Sequence, residues 1–237
     1  VLQRDSAIAV WGQAAPDESV AVSLNHERVQ ASADARGQWA VKLPPMKAGG
    51  PYELIVTGAA TSLTLRDVLL GDVWICSGQS NMGMSMQGAG RGILDGEKEI
   101  AAADYPDIRL FVVAPTTAAS PRDELANHTP WVHCTPQSVL GFSAAGYFFG
   151  RHVHQTEKVP VGLVMTAWGG TYAEAWTSKA GLATMPEFEQ RLREAETKLP
   201  QLDRIEAEYT SQAAAWEERL DADDAGMRDG VPVWSQP

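Results

Sequence analysis

The chain has 237 residues, of which 44% are hydrophobic, and it carries a formal net charge of −11 at pH 7. This length and apolar content are typical of a globular protein with one large domain or two modest domains. The acidic balance argues against a nucleic acid or an anionic membrane as partner, because phosphate binding requires clustered Lys and Arg. No apolar run approaches the roughly 18 residues that a membrane span needs.

The first 67 residues contain short runs of alternating hydrophobicity separated by turn residues. We predict strands at residues 7–11, 19–24, 38–43 and 52–56. Strands at this spacing favour a small β-sandwich domain over residues 1–67. Because no acid, base and nucleophile are clustered there, we interpret this domain as structural or as an accessory binding face.

The pattern changes after residue 67 to an alternation of strands and helices. Strands are predicted at residues 73–76, 107–113 and 160–166, and a helix at about 143–155. Such alternation is typical of an α/β domain with a parallel sheet and helices on both faces. We assign this domain to residues 68–237 and expect its ligand crevice at the carboxyl ends of the strands.

Ser80 follows the first of these strands in the segment GDVWICSGQSNM at residues 71–82. An apolar strand ends there at a small polar turn, and the serine occupies a position where a helix could begin. Free backbone N–H groups at such a position favour negative charge, which suits a nucleophile and a developing oxyanion. No glycine lies two residues after Ser80, so the segment is not the G-x-S-x-G elbow of α/β-hydrolases.

A second turn of small residues, WGGT at residues 168–171, follows the strand at 160–166. Both turns are predicted at the same edge of the sheet, which indicates that Ser80 is functional. A glycine lets a backbone N–H approach a reacting oxygen without a Cβ in the way. The alternative interpretation is that Gly169 and Gly170 form only a tight turn.

The chain resembles the sialate O-acetylesterase family, a branch of the SGNH (GDSL-like) hydrolases whose related members act on acetylated xylan. The similar segments occur in order from residue 1 to about residue 180: VLQRD at 1–5, GDVWICSGQSNM at 71–82, FSAAGYFFGR at 142–151, VPVGL at 159–163, WGGT at 168–171 and EAWTS at 174–178. The resemblance implies an SGNH-type sheet for the second domain and a secreted or periplasmic protein.

The resemblance also implies roles for individual residues. Ser80 would be the catalytic nucleophile, and the backbone N–H groups of Ser80 and Gly170 would form the oxyanion hole. The positions that correspond to substrate-binding residues are Gln79, Asn81, Gly169, Thr171 and Glu174. Gln79 and Asn81 are equally compatible with turn bonding, and Glu174 with a helix cap. No metal or organic cofactor is implied.

A serine nucleophile needs a histidine held by a carboxylate, and the family supplies both from an Asp-x-x-His segment. None of the five histidines of this chain lies in that pattern. The family's third block, a Gln-Gly-Glu-type loop, is also missing from the sequence. We therefore expect a second chain or a carboxyl-terminal segment of the same precursor to complete the sheet and carry the Asp-x-x-His.

The remainder of the chain is charged and helical in pattern, and we interpret residues 185–230 as an insertion. One helix is predicted to begin at Pro186 and to be interrupted at Pro200, and another to run from Ile205 to about Leu220. Elsewhere, Tyr147, Phe148 and Phe149 are expected in the core. Cys76 is expected as a small core residue, with a disulfide to Cys134 as the alternative.

The sequence as a whole predicts hydrolysis of an acetyl ester on a carbohydrate, such as a sialic acid or xylan, through an acetyl-enzyme. We expect the 237 residues alone to be inactive. Two alternatives remain: a lipid or thioester hydrolase on the same fold, which would have an apolar acyl tunnel, and a non-catalytic carbohydrate-binding fragment.

Overall fold

The computed structural model describes residues 1–88, 93–118, 120–223, 226–228 and 231–232. The chain forms two compact units, Val1–Thr171 and Tyr172–Pro237. The first unit contains the first ten strands and the first three α-helices, and the second contains the remaining elements.

The strands, in chain order, are β1 (Leu2–Gln3), β2 (Ile8–Gln13), β3 (Ser19–Leu24), β4 (Glu27–Ser32), β5 (Gln38–Leu43), β6 (Gly49–Thr57), β7 (Ser62–Gly78), β8 (Tyr105–Val112), β9 (Val132–Cys134), β10 (Val161–Ala167), β11 (Met227–Arg228) and β12 (Val231–Pro232). The α-helices are α1 (Ser80–Gly83), α2 (Gly96–Ala101), α3 (Ala144–Glu157), α4 (Lys179–Leu182), α5 (Glu189–Lys198) and α6 (Leu202–Asp223). Short 3₁₀ turns lie at Ala173–Trp176, Pro186–Phe188 and Leu199–Gln201.

The amino-terminal strands form a β-sandwich, as predicted. Antiparallel strands β2 and β5 make one small sheet, and β4, β3, β6 and the first part of β7 make the other, in that order. Alternate residues of β5 are buried, which is the period of two expected for a strand with one face on a core. The two sheets share one buried apolar cluster whose central members are Val22, Leu24, Trp39, Leu43 and Leu54.

Strand β7 belongs to both parts of the first unit. Its amino-terminal part pairs with β6 in antiparallel orientation, and its carboxyl-terminal part, from Asp72 to Gly78, pairs with β10 in parallel. The predicted domain boundary between residues 67 and 68 therefore falls inside one continuous strand, and that boundary stays a prediction.

The parallel part of the sheet has the order β7, β10, β8, with β9 antiparallel at the edge of β8. Helix α3 packs closely on this sheet, because a Cβ added at Gly150 would lie only 2.6 Å from a methyl carbon of Leu163. The buried cluster between them includes Ile108, Leu110 and Tyr147. The predicted α/β class is confirmed, and the carboxyl ends of β7 and β10 meet at one edge.

The edge of this sheet next to β7 is exposed. Past Asp72, the strand pairs only with β10 within the described residues. The Trp74 side chain is accordingly 43% exposed and packs edge-on against Phe149 of α3, with ring centroids 5.0 Å apart. Tyr147 is fully buried and Phe148 partly buried, but the prediction of a core position for Phe149 is wrong, because its ring lies beside this unpaired strand edge.

Both cysteines are buried and carry free thiols. Cys76 lies in the core beneath α3, as predicted, and the alternative of a disulfide with Cys134 is not realised. Burial, with a smaller contribution from the negative charge of Asp104, raises the pKa of the Cys134 thiol to about 12.

The second unit is helical and rich in surface ion pairs. The predicted helix start at Pro186 is confirmed as a 3₁₀ turn that leads into α5, and Pro200 lies in the 3₁₀ turn between α5 and α6. Residues 224–225 and 229–230 of the predicted insertion lie outside the described residues. None of the helices that the structure describes is long and apolar enough to cross a membrane.

Candidate active site

Ser80 is the first residue of α1 and lies two residues beyond the end of β7. The strand leaves the sheet at Gly78, whose φ of +145° is one that side chains rarely adopt. The turn is then closed by the backbone N–H of Gly83, which donates to the carbonyl oxygen of Gln79 at 2.8 Å. The Ser80 side chain is exposed, and within the described residues no group hydrogen-bonds to its hydroxyl.

The second glycine turn lies directly beside Ser80. The backbone N–H of Trp168 donates to the carbonyl oxygen of Gly78 at 2.9 Å, which continues the pairing of β7 and β10 past their ends. A Cβ added at Gly169 would lie 3.7 Å from both Cα and Cβ of Ser80. Gly170 has φ +77°, in the left-handed region. The structure thus brings the two predicted turns together, while the assignment of the Gly170 N–H to an oxyanion hole stays a prediction.

Gln79 links the two turns. Its side-chain Nε2 donates to the carbonyl oxygen of Thr171 at 3.1 Å, and the Thr171 hydroxyl donates to the carbonyl oxygen of Trp168 at 2.7 Å. The Gln79 amide is therefore engaged in orienting the loops, which was one of the two interpretations of this residue. The predicted contacts of Gln79, Gly169 and Thr171 with substrate stay predictions.

The remaining predicted substrate-binding residues are placed differently. Asn81 follows Ser80 in α1 and is exposed. Glu174 belongs to the second unit, in the 3₁₀ turn Ala173–Trp176, where its carboxylate accepts a hydrogen bond from Arg191 at 2.9 Å. Their substrate-binding roles stay predictions.

Ser143 contacts the segment that follows Ser80 through a hydrogen bond to Met82, a contact that the sequence analysis did not predict. The fully buried Ser143 hydroxyl donates to Sδ of Met82 at 3.3 Å and accepts from the backbone N–H of Gly146 at 3.0 Å, which caps α3. Its backbone N–H contacts Sδ of Met165 at 3.2 Å. The sequence pattern that could have identified Ser143 is a serine three residues before a helical glycine. This pattern indicates an N-cap, but it does not indicate a contact with Met82.

Three histidines lie far from the carboxyl ends of the parallel strands, where Ser80 is located. His133 on β9 pairs with Arg109, which is level with Gly162 of β10. Since Gly162 precedes the last residue of β10 by five positions, His133 is set back by roughly 16 Å at 3.3 Å per residue. His154 Nδ1 lies 2.7 Å from the carbonyl oxygen of Val159, which precedes β10 and so lies at the amino-terminal end of that strand. His152 is exposed and lies two residues earlier in α3.

The other two histidines are also separated from Ser80. His128 forms a bridge with Val113 just past the end of β8, and its ring stacks on Phe111 with centroids 5.0 Å apart. Three strand spacings, roughly 14 Å, separate that position from β7. His26 lies in the turn between β3 and β4, beside Glu27. Across the described residues, no group of three or more His, Cys, Asp or Glu side chains is suited to hold a metal ion.

Comparison with known proteins identifies the family of the chain. A family model described as "Carbohydrate esterase, sialic acid-specific acetylesterase" matches residues 70–215. The sialate O-acetylesterase of Pongo abelii is 39% identical over 204 residues, which cover 77% of this chain and 38% of that protein. The human sialate O-acetylesterase is 38% identical over 204 residues, with the same coverage of both chains.

A solved structure supports the same relationship. The crystal structure of a carbohydrate acetylesterase from Xanthomonas citri matches with a TM-score of 0.71 and 40% sequence identity, over 76% of this chain and 40% of that chain. The chain thus spans less than half the length of the relatives that it matches. Because the family model covers more than half of the 237 residues, the chain belongs to the sialic acid-specific acetylesterase family of carbohydrate esterases.

Proposed function

We propose that this protein removes O-acetyl groups from carbohydrates, with Ser80 as the nucleophile and with the catalytic Asp and His supplied by a segment outside these 237 residues. The observation that carries the proposal is the placement of the Gly169–Gly170 turn against Ser80 at the carboxyl edge of the parallel sheet. Ser80 attacks the acetyl carbonyl and loses its proton to the histidine. The sugar alcohol then leaves, and water hydrolyses the acetyl-enzyme.

The oxyanion of the tetrahedral intermediate is proposed to bind the backbone N–H groups of Ser80 and Gly170. The absence of a Cβ at Gly170 is consistent with this role, since nothing lies within 4 Å of the position that a Cβ would take and no side chain of this residue stands between its N–H and a reacting oxygen. Removing one donor of an oxyanion hole typically raises the barrier by roughly 3–4 kcal/mol.

The proposal of an external histidine rests on the positions of the five histidines and on exposed apolar surface. His133, His152 and His154 lie away from the edge with Ser80, and His128 is held by Phe111. On β7, Ile75 is 71% exposed although it lies in the middle of the part of the strand, Asp72 to Gly78, that pairs with β10. A further strand and its connecting segment would cover this surface, since parallel sheets are normally buried on both faces. This segment is a second chain or the carboxyl-terminal part of the same precursor.

The substrate class is proposed from the relatives. Those named above are a sialate O-acetylesterase in each mammal and a carbohydrate acetylesterase in the bacterium. We therefore propose an O-acetylated carbohydrate as substrate, either a sialic acid ester or an acetylated plant polysaccharide such as xylan.

The test compares the 237-residue chain with the same chain joined to the proposed completing segment. Hydrolysis of p-nitrophenyl acetate and acetate release from acetylated xylan and O-acetylated sialic acid are measured for each. We expect turnover only in the completed protein, and we expect Ser80→Ala to lower kcat at least about a thousandfold. The control is Ser77→Ala, which replaces an exposed serine near the end of the preceding strand β7 and should leave kcat unchanged.

Three results would contradict the proposal. Turnover that survives Ser80→Ala would exclude this serine as the nucleophile. Full activity of the 237 residues alone would exclude an external histidine. A strong preference for long-chain over acetyl esters would indicate a lipid or thioester hydrolase instead.

A further inference from the structure

The outer surface of the small sheet formed by β2 and β5 carries a cleft that the proposed esterase chemistry does not use. Its volume is about 820 Å³, and its lining includes Trp11, Gln13, Gln38, Ala40, Asp123 and Glu124. We call this the Trp11 cleft. A cleft of this size falls within the range of ordinary small-molecule sites, which is roughly 300–1,000 Å³.

Strand register gives the Trp11 cleft its shape. Trp11 lies opposite Ala40, and Gln13 lies opposite Gln38, on the outward face of the two strands. The Trp11 side chain is 70% exposed, whereas Trp39, one residue from Ala40, points into the sandwich and is 8% exposed. Trp11 therefore contributes little to the core and stands as an aromatic platform beside a small residue.

Polar groups of both kinds surround this platform. The amides of Gln13 and Gln38 offer donors and acceptors, and the carboxylates of Asp123 and Glu124 offer acceptors. Within the part of the chain that the structure describes, none of these four side chains makes a hydrogen bond or ion pair, so their bonding capacity remains available to a ligand.

An exposed aromatic ring surrounded by hydrogen-bond donors and acceptors fits a neutral sugar. A pyranose ring has an apolar C–H face that stacks on an aromatic ring, and its rim of hydroxyls both donates and accepts hydrogen bonds. An anionic ligand would meet two carboxylates and a chain with net charge −11, which is unfavourable. We infer that the Trp11 cleft is a binding site for a neutral oligosaccharide segment, separate from the site of Ser80.

This site would hold a neutral polysaccharide on the sandwich while a different part of the polymer reaches the sheet edge. Binding there needs no nucleophile, so it does not depend on the esterase chemistry. Ser80→Ala is accordingly expected to bind the oligosaccharide as tightly as the unsubstituted protein.

The test uses isothermal titration calorimetry of the 237-residue chain with xylohexaose and with cellohexaose, and with 3′-sialyllactose as an anionic comparison. We expect at least one neutral hexaose to bind and 3′-sialyllactose not to bind. Trp11→Ala should weaken the binding by about tenfold or more, as loss of one stacking platform typically does, while Trp11→Phe should restore most of it. The matched control is Trp216→Ala, which removes a 56% exposed tryptophan from α6 in the second unit and should change nothing.

Several outcomes would overturn the inference. These are failure of both hexaoses to bind, equal binding by Trp11→Ala and the unsubstituted chain, or loss of binding in Trp216→Ala alone. Thermal unfolding of each variant identifies a folding defect. The double variant Gln13→Ala with Gln38→Ala tests the Trp11 cleft independently of the tryptophan, because it should also weaken hexaose binding. Loss of hexaose binding in Trp11→Ala together with an inactive completed protein would leave this inference standing and remove only the esterase proposal.

Discussion

Gln79 donates a hydrogen bond from Nε2 to the carbonyl oxygen of Thr171 at 3.1 Å, across 92 positions of sequence. This bond ties the turn after β7 to the turn after β10, so it fixes Ser80 relative to Gly169 and Gly170. Gln79, which lies beside the proposed nucleophile, is therefore a positioning residue for the two turns.

Replacing Gln79 tests the link between the turns. We expect Gln79→Leu to lower the free energy of unfolding by about 1 kcal/mol, the typical worth of one hydrogen bond. In the completed protein, kcat should fall while KM changes little, because Ser80 and the oxyanion donors lose their alignment. Stopped-flow or steady-state hydrolysis of p-nitrophenyl acetate and urea denaturation provide the two readouts.

The control for this substitution is Gln87→Leu, which removes an exposed glutamine whose backbone N–H, but not its side chain, is hydrogen-bonded. It should leave both kcat and stability unchanged. An unaltered kcat in Gln79→Leu would show that the second turn holds its position without the bond.

Gly170 is predicted to be required for its backbone conformation and not for lack of space. A Cβ there would meet nothing within 4 Å, but φ is +77°. We expect Gly170→Ala to cost about 1–2 kcal/mol in unfolding free energy and Gly170→Asn to cost less, since asparagine tolerates the left-handed region. Guanidinium denaturation measures both.

Gly141→Ala is the matched control, because its Cβ would also meet nothing within 4 Å and its φ is not positive. It should change the unfolding free energy by no more than about 0.5 kcal/mol. If Gly170→Ala also leaves the unfolding free energy unchanged, the left-handed backbone at Gly170 is not required for the stability of the fold.

Many of the strands are predicted from the sequence, and the strands that are missed have physical reasons for it. The strands at residues 19–24 and 38–43 have the predicted bounds because alternating apolar residues are flanked by turn residues. Strand β4 is not predicted, since its sequence ERVQAS carries polar side chains at the exposed positions and few apolar residues. The first part of β7 is missed because Asp67, Gly71 and Asp72 are residue types that usually mark turns, although the strand continues through all three.

The two turns of the candidate site are predicted from the sequence, but the contacts that hold them together are not. Strand–turn–serine and strand–Gly–Gly patterns are local, so the amino-acid sequence is enough to place Ser80 and Gly169–Gly170 on turns at the same end of the sheet, while their catalytic roles stay predictions. The bonds from Gln79 to Thr171 and from Ser143 to Met82 join residues 92 and 61 positions apart. No local pattern encodes such pairs, because they follow from the order of strands in the sheet.

The buried guanidinium of Arg109 provides a stability prediction. Arg109 is 6% exposed, and its Nη2 donates to both carboxylate oxygens of Asp67 at 2.8 and 2.9 Å. We expect Asp67→Asn, in which asparagine tolerates the φ of +60° at this position, to lower the free energy of unfolding by about 2 kcal/mol, because a buried cation loses its charged partner. The neighbouring Arg66→Ala breaks an exposed pair with Glu53 and should cost less than about 1 kcal/mol. Similar costs for the two variants would contradict a special role for the Arg109 pair.

The cysteines should be inert in the folded protein. Burial raises the pKa of the Cys134 thiol to about 12, so almost no thiolate exists at pH 8. We expect neither Cys76 nor Cys134 to react with Ellman's reagent within minutes under native conditions, and both to react after denaturation. Rapid labelling of one thiol in the native state would indicate local opening of the sheet.

The histidines provide the sharpest test of the proposed division of the active site. His128 is the one whose segment reaches the same end of the sheet as Ser80, yet its ring stacks on Phe111 and its Nδ1 lies 2.8 Å from the carbonyl oxygen of Thr129. A general base must lie within hydrogen-bond reach of the serine proton, and three strand spacings separate the two residues. We therefore expect His128→Ala to retain kcat in the completed protein within about twofold, whereas alanine at the histidine of the added Asp-x-x-His segment should lower kcat about as much as Ser80→Ala, since members of a triad act as a unit. Loss of turnover in His128→Ala, with unchanged thermal unfolding, would instead place the base within this chain and require the loop after β8 to move toward Ser80.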